Sequence, residues 1–244
     1  MKWAALTVMS CVVCLSLSAC GPRGLVRSEL AGGRTEGPRG LMVVPADFVI
    51  TEITFGKTEE RVVPAERHAA DVFSAQVQAM AGADPRLKWI DFTQLSEPEQ
   101  RTVLQHRALF ATMVSQMLLV KSEAIDAWSD KQRYFDYSLG PGMAEMGRQH
   151  HADTALFVIG KDKVRSTSRK VLDALASLLP IGESLSSQPA AVVVGVVELR
   201  TGNVLMFDSD TATRKALTDD DDVRAMGDEV LTDFRDAMAR KDAR

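Results

Sequence analysis

Four groups of side chains in this sequence have the chemistry to act on another molecule. The first is His150-His151, the only adjacent histidines. Neighbouring side chains diverge on a helix and on a strand, so the two cannot both face one metal ion, and His68 and His106 lie far away in the chain. The pair reads as the polar end of a helix. The second is Asp219-Asp220-Asp221-Asp222. It lacks the spaced ligands and turn glycine of a calcium loop and reads as a solvated acidic loop, with Asp222 capping the last helix. The third is a scattered set of carboxylates, Asp47, Glu52, Asp136 and Asp153. A glycosidase pair could be drawn from it, but only a fold can bring two of them to working distance. The fourth is the aromatic loop Tyr134, Phe135 and Tyr137, beside Gly140-Pro141-Gly142. Its rings could stack on a sugar or hold a partner peptide, and the alternative is packing within the loop. Nucleophile motifs are missing. Gly182-Glu183-Ser184-Leu185-Ser186 lacks the second glycine of a nucleophile elbow, and Ser166 is followed by Arg169 where a Ser-x-x-Lys site needs lysine. Gly160-Lys161 lacks the rest of a phosphate loop. The expectation is therefore no catalytic residue, no metal site and no cofactor.

The elements that would carry these groups follow an export signal. The chain has 244 residues, 45% apolar and 25% charged, and 29 Lys and Arg against 33 Asp and Glu give a net charge of −4. That balance excludes a disordered chain and a polytopic membrane protein, and without a basic surplus it excludes a general nucleic-acid binder. Met1-Lys2 is a short positive head, and Ala4 to Ala19 is apolar. This run falls short of the roughly 20 residues that cross a bilayer as a helix, so it reads as a secretory signal. It ends in Leu17-Ser18-Ala19-Cys20, which resembles the lipobox of bacterial lipoproteins. The resemblance implies diacylglyceryl transfer to the Cys20 sulfur, cleavage before Cys20, and acylation of the new amino group. Several acyl chains on one residue would hold the protein on a membrane, where one chain anchors only weakly. Gly21, in place of Asp, implies the outer membrane and its periplasmic side. The alternative is a conventional signal cut near Ala19 that leaves Cys20 as a free thiol. Cys11 and Cys14 lie in the signal, so the mature chain keeps no pair for a disulfide.

Three regions follow from the composition: a signal at 1–19, a lipidated cysteine with a flexible Gly/Arg-rich tether at 20–40, and an α/β periplasmic domain at 41–244. Gly21 to Gly40 holds six glycines, two prolines and four arginines, too few apolar groups to fold alone. In the body, Leu41 to Val44, Phe48 to Phe55, Glu60 to Val63 and Leu87 to Phe92 read as strands. Pro64 opens a helix with Ala69, Val72, Phe73, Val77 and Met80 on one face. Ser96-Glu97-Pro98-Glu99 opens a longer one, from about Glu97 to Trp128, with Val103, Leu104, Ala108, Phe110, Met113, Val114, Met117 and Leu118 as its apolar set. A short helix at Met143 to His150 leads to two near-continuous apolar strands, Thr154 to Lys161 and Ala190 to Leu199, buried on both faces. Between them, Ser168 to Leu179 reads as an amphipathic helix. It covers the sheet as a crossover or, with Lys163, Arg165, Arg169 and Lys170, rests on a membrane. Arg200-Thr201-Gly202-Asn203 marks a hairpin, and Val223 to Arg240 a surface helix. The pattern predicts a single α/β layered domain, a mixed sheet covered by helices.

Three segments carry a resemblance. The runs Asp136-Tyr137-Ser138-Leu139-Gly140-Pro141-Gly142, Ala152-Asp153-Thr154-Ala155-Leu156-Phe157 and Glu198-Leu199-Arg200-Thr201-Gly202-Asn203-Val204 resemble a group of proteobacterial envelope lipoproteins. More distantly, the Ala-Asp strand followed by the Thr-Gly hairpin is similar to the curli-secretion lipoprotein and to the amino-terminal domain of TolB. The resemblance implies a compact periplasmic α/β domain that works by binding, often in an assembly. The expected function is a non-enzymatic assembly, scaffold or binding component of the cell envelope; the alternative is an envelope hydrolase acting on peptidoglycan or glycan. Expected partners are a membrane through the lipid anchor and an envelope protein or a second copy of the chain, with no nucleic acid.

Overall fold

The computed structural model describes residues 25–26, 40–54, 58–83, 88–121, 131, 134–165 and 189–239. The signal, Cys20, most of the tether and the expected amphipathic helix Ser168 to Leu179 lie outside the described residues.

Among the described residues, eight strands form one mixed sheet. In chain order they are β1 (Leu25–Val26), β2 (Gly40–Val43), β3 (Asp47–Ile53), β4 (Glu59–Arg61), β5 (Lys88–Ile90), β6 (Thr154–Arg165), β7 (Ala190–Glu198) and β8 (Val204–Ala212). The order across the sheet is β1-β8-β7-β6-β2-β5, with β3 also on β6 and β4 on β3. Strand β6 is the spine. One of its edges pairs parallel with β2 over Thr154 to Leu156 and then with β3 over Ile159 to Arg165. The other edge pairs antiparallel with β7, from Thr154 opposite Glu198 to Lys161 opposite Ala191. That antiparallel pairing corrects the expected crossover, because a crossover joins parallel strands. The apolar runs of β6 and β7 are split by the strand period of two. Leu156, Val158, Val192, Val194 and Val196 join one core, while Ala155, Phe157, Val193 and Val197 join the other.

The first core lies under α1 (Val63–Ala83) and α4 (Asp220–Ala239), which supply Ala69, Phe73 and Val77 from one helix and Val223, Met226, Val230, Leu231 and Phe234 from the other. The second lies under α2 (Glu97–Lys121) and the short α3 (Ala144–His150). Helix α2 is opened by the expected box: Glu99 Oε2 accepts from the Ser96 amide at 2.8 Å and from its hydroxyl at 2.6 Å. Glycines set the fit of aromatic rings on each face. A Cβ on Gly195 of β7 would lie 2.3 Å from the Phe110 ring of α2, and one on Gly160 of β6 would lie 2.2 Å from Phe48.

Several expectations need correction. Of the expected α2 apolar set, Val103, Phe110, Val114 and Met117 are buried and Met113 and Leu118 pack against the core, whereas Leu104 and Ala108 face out and Val120 is buried instead. Of the fourth expected strand the described residues show Lys88–Ile90, and its expected end at Phe92 is instead the start of a 3₁₀ turn, Phe92–Gln94, with Asp91 as its cap. The cap of α4 is Asp219, whose Oδ1 accepts from the amides of Asp221 and Asp222 at 3.0 and 3.1 Å. Asp222 instead accepts from the Ala216 amide at 2.8 Å. Within the expected tether, Leu25–Val26 pairs with β8, because a sheet edge offers open hydrogen-bonding groups to any short apolar segment within reach.

Candidate functional site

The three segments that carried the sequence resemblance, far apart in the chain, meet at one end of the sheet. The β7–β8 hairpin is the hub. Its turn is closed by the Gly202 amide donating to the Glu198 carbonyl at 2.8 Å and the Glu198 amide donating to the Asn203 carbonyl at 2.9 Å. Gly202 sits at φ +75°, and a Cβ there would lie 1.9 Å from the Gly140 carbonyl oxygen. Glycine is therefore required twice over, by the left-handed turn and by the loop that docks on it. That loop holds on through the Leu139 amide donating to the Gly202 carbonyl at 2.8 Å and the Val204 amide donating to the Tyr137 carbonyl at 2.9 Å.

The second segment arrives through α3. The helix ends on His151 in the left-handed conformation, φ 55°, with its amide turned back onto the last carbonyls. The Ala152 amide donates to Gly147 O at 2.9 Å, the Asp153 amide to Gly40 O at 3.0 Å, and the Leu199 amide to Asp153 O at 2.9 Å. The first residue of β2, the entry to β6 and the exit of β7 are thus tied into one knot.

A cleft of about 550 Å³ opens beside this knot, lined by Gly147, Arg148, His151, Asp153, Glu198 and Arg200, with Ala144, Ala152 and Leu199 as its apolar floor. The volume falls within the ordinary range for small-ligand sites. Two guanidinium groups stand at its rim, about two-thirds to three-quarters exposed. Arg148 pairs with Glu145, and Arg200 with Glu198 at 3.2 Å. Glu198 also accepts from the Thr201 hydroxyl, which in turn accepts from the Asn203 amide at 3.1 Å. Both signs of charge over an apolar floor suit a small polar ligand, or a peptide or glycan end carrying charged groups. Behind the cleft, His150 Nε2 lies 2.7 Å from Glu99 Oε1, so the adjacent histidines do diverge. The hydrogen bonds from Ser96, with His150 adding to them, hold the Glu99 carboxyl down at about 2.

The remaining candidates are spread over the molecule. Phe135 and Tyr137 are buried, packed together at 5.5 Å with Phe135 against Phe207 at 6.4 Å, and Tyr134 is the exposed ring of the loop. Asp136 pairs with Lys131 at 2.5 Å. Asp47 is level with Ile159 and Glu52 with Val164, which puts them about 20 Å and about 36 Å along β6 from Asp153. His68 Nε2 lies 2.6 Å from Asp220 Oδ1, and the His106 ring bonds the Thr102 carbonyl at 2.8 Å. Among the described residues no three His, Cys, Asp or Glu side chains gather as a metal site. Sequence reasoning named Asp153 and His151 but passed over Arg148, Glu198 and Arg200 as cleft residues. The signal for Glu198 and Arg200 was their place in the hairpin segment; for Arg148 there was none.

No protein family matches the chain, and no curated protein does. Among solved structures it is similar to the PelC dodecamer from Paraburkholderia phytofirmans. A point variant of that protein in space group C2 aligns at 10% identity over 82% of this chain and 93% of that chain, with a TM-score of 0.33. The same protein in space group P6 aligns at 10% identity over 81% and 86%, with a TM-score of 0.32. Scores of this size do not establish a shared fold.

Proposed function

We propose that the chain is a lipid-anchored lipoprotein on the periplasmic side of the outer membrane, and that it works there as a non-enzymatic binding or assembly component of the cell envelope. The cleft at the hairpin end carries the binding half of this reading, because residues 144–153 and 198–200, far apart in the chain, are folded together to line it. The anchor half is supported by Leu17-Ser18-Ala19-Cys20 behind its apolar run and by Gly21. The test is to purify the protein from detergent-solubilised envelopes, weigh its amino-terminal peptide, and identify what co-purifies with it and with an Arg148→Glu, Arg200→Glu variant. Acyl chains on Cys20 and a component lost from the variant are the expected results. A free Cys20, or the same set of components with both proteins, would overturn the reading.

One observation favours a second reading as an envelope hydrolase. Asp153 and Glu198 line one cleft, and the backbones on either side of them are hydrogen-bonded. Release of soluble fragments from peptidoglycan, abolished by Glu198→Gln, would establish that reading in place of the first.

A further inference from the structure

Taking the cleft as the binding site proposed above, we infer that its ligand is a zwitterion: a free amino acid or short peptide with small apolar side chains, its ammonium seated on Glu198 and its carboxylate between Arg148, His151 and Arg200. The charges of the lining set the class of ligand. Two guanidinium groups, of Arg148 and Arg200, and two carboxylates, of Asp153 and Glu198, line the cleft and balance at zero. A simple anion would meet repulsion there as well as attraction, and so would a simple cation. A molecule that carries both charges close together satisfies both sets of groups.

Glu198 is the least exposed of these charges. Its side chain is 17% exposed, whereas Asp153, Arg148 and Arg200 are exposed, so the ligand's ammonium goes in first and its carboxylate stays at the rim. Glu198 Oε1 accepts from Arg200 and Oε2 from Thr201, and a carboxylate oxygen can accept a second hydrogen bond. Arg148 and Arg200 each use one Nη2 in their ion pairs with Glu145 and Glu198. The rest of each planar fork is free to match a carboxylate. The forks share one rim because the hairpin packs on α3. A Cβ on Gly147 would lie 3.0 Å from the Leu199 side chain, and Arg148 and Arg200 are the next residues along.

His151 and the floor refine the class. His151 is one of two non-glycine residues at positive φ among the described residues, and it sits just after a helix, where glycine is the usual choice. Backbone strain is thus kept at a residue whose exposed side chain stands on the cleft wall, as expected where a side chain is retained for contact with a ligand. The floor is aliphatic, made by Ala144, Ala152 and Leu199, and no Phe, Tyr or Trp ring is among the described lining residues. Small methyl-bearing side chains match that floor, and the stacking platform that suits a sugar ring is missing.

The test is calorimetric titration of the detergent-purified mature protein with L-alanyl-L-alanine, and with the same dipeptide N-acetylated or C-amidated. Blocking either end should weaken binding at least about tenfold, the loss expected for a hydrogen bond to a charged group. Glu198→Gln should remove the penalty for the N-acetyl form, and Arg148→Gln with Arg200→Gln the penalty for the amide. His151→Gly should weaken binding several-fold while leaving the protein as stable or more so, since glycine suits the left-handed position; a merely structural imidazole would lower stability as well. No binding of the dipeptide at millimolar concentration, equal binding of the blocked forms, or O-phosphoethanolamine binding as tightly as the dipeptide would overturn the inference. The comparison of free and blocked dipeptides uses the unmutated protein, so it stands even where a variant fails to fold. An envelope component lost from the Arg148→Glu, Arg200→Glu variant, with no dipeptide bound by the unmutated protein, would keep the binding reading and overturn the zwitterion alone.

Discussion

The two faces of the sheet use similar aromatic anchors and are finished in different ways. On one face α1 and α4 lie side by side, and polar contacts stitch their rims: His68 to Asp220 at 2.6 Å, and Gln76 Nε2 to the Arg224 carbonyl at 2.9 Å and to Asp228 at 2.7 Å. On the other face, among the described residues, the one long helix is α2. From Thr102 to Val120 its only permanently charged residue is Arg107, which is turned inward with Nη1 donating to the Pro45 carbonyl at 3.0 Å. Leu104, Leu109 and Leu119 stay 39–43% exposed. The difference teaches that apolar content sets how much surface a helix can bury, while the number of neighbours sets how much it does bury.

The largest test of this comparison is to remove one anchor from each face. Phe110→Ala and Phe73→Ala should each cost about 3–5 kcal/mol in urea unfolding, since both rings are wholly buried. If Phe110→Ala were nearly neutral, the α2 face would not belong to the cooperative core. Next comes the joint between hairpin and loop. Gly202→Ala forces a side chain into a left-handed position against Gly140 and should cost about 1–3 kcal/mol. It should also weaken whatever the cleft binds; an unchanged melting temperature would mean that the loop is not docked in solution.

Smaller effects separate the faces by pH. Glu99→Ala on the α2 side should cost about 1 kcal/mol through the lost cap. The carboxyl is held below its ordinary value, so this stabilisation is complete above about pH 4.5 and fades as the pH falls toward 2. Asp162, beneath α4, has the opposite sign. Burial pushes its carboxyl up despite the bond from the Leu217 amide at 2.8 Å, so stability falls as the pH rises from near 3.8 through the raised folded-state value. Asp162→Asn keeps an acceptor for that amide and should flatten this part of the profile; an unchanged slope in a pH series of denaturation midpoints would refute the assignment. The smallest effect is expected from Leu104→Gln with Leu109→Gln, within about 0.5 kcal/mol per site. A loss well beyond that would show that this face of α2, exposed among the described residues, is covered in the folded protein.

Much of the fold was legible from local pattern. The capping box at Ser96 and Glu99, the glycine turn at Gly202 and the doubly buried runs of β6 and β7 are each encoded within a few residues. The edge of the buried stripe of α2 was not, because apolar residues flank it on both sides and the sequence cannot say that Leu104 faces out while Leu118 packs in. The α4 cap was misplaced by three residues, since any member of an aspartate run can accept an amide hydrogen and the entry path of the chain decides which one does.

The sequence by itself determined the alternation of strands and helices, the capping box of α2 and the residue types at the turns. All of these depend on composition and on spacing along the chain. Only the tertiary structure decided that β6 and β7 run antiparallel, that Leu25–Val26 caps the β8 edge, and that Gly40, Asp153 and Leu199 are joined to frame a cleft. Those contacts bridge residues tens to more than a hundred positions apart, and hydrogen-bonding partners at that range are chosen by the packing of the whole sheet.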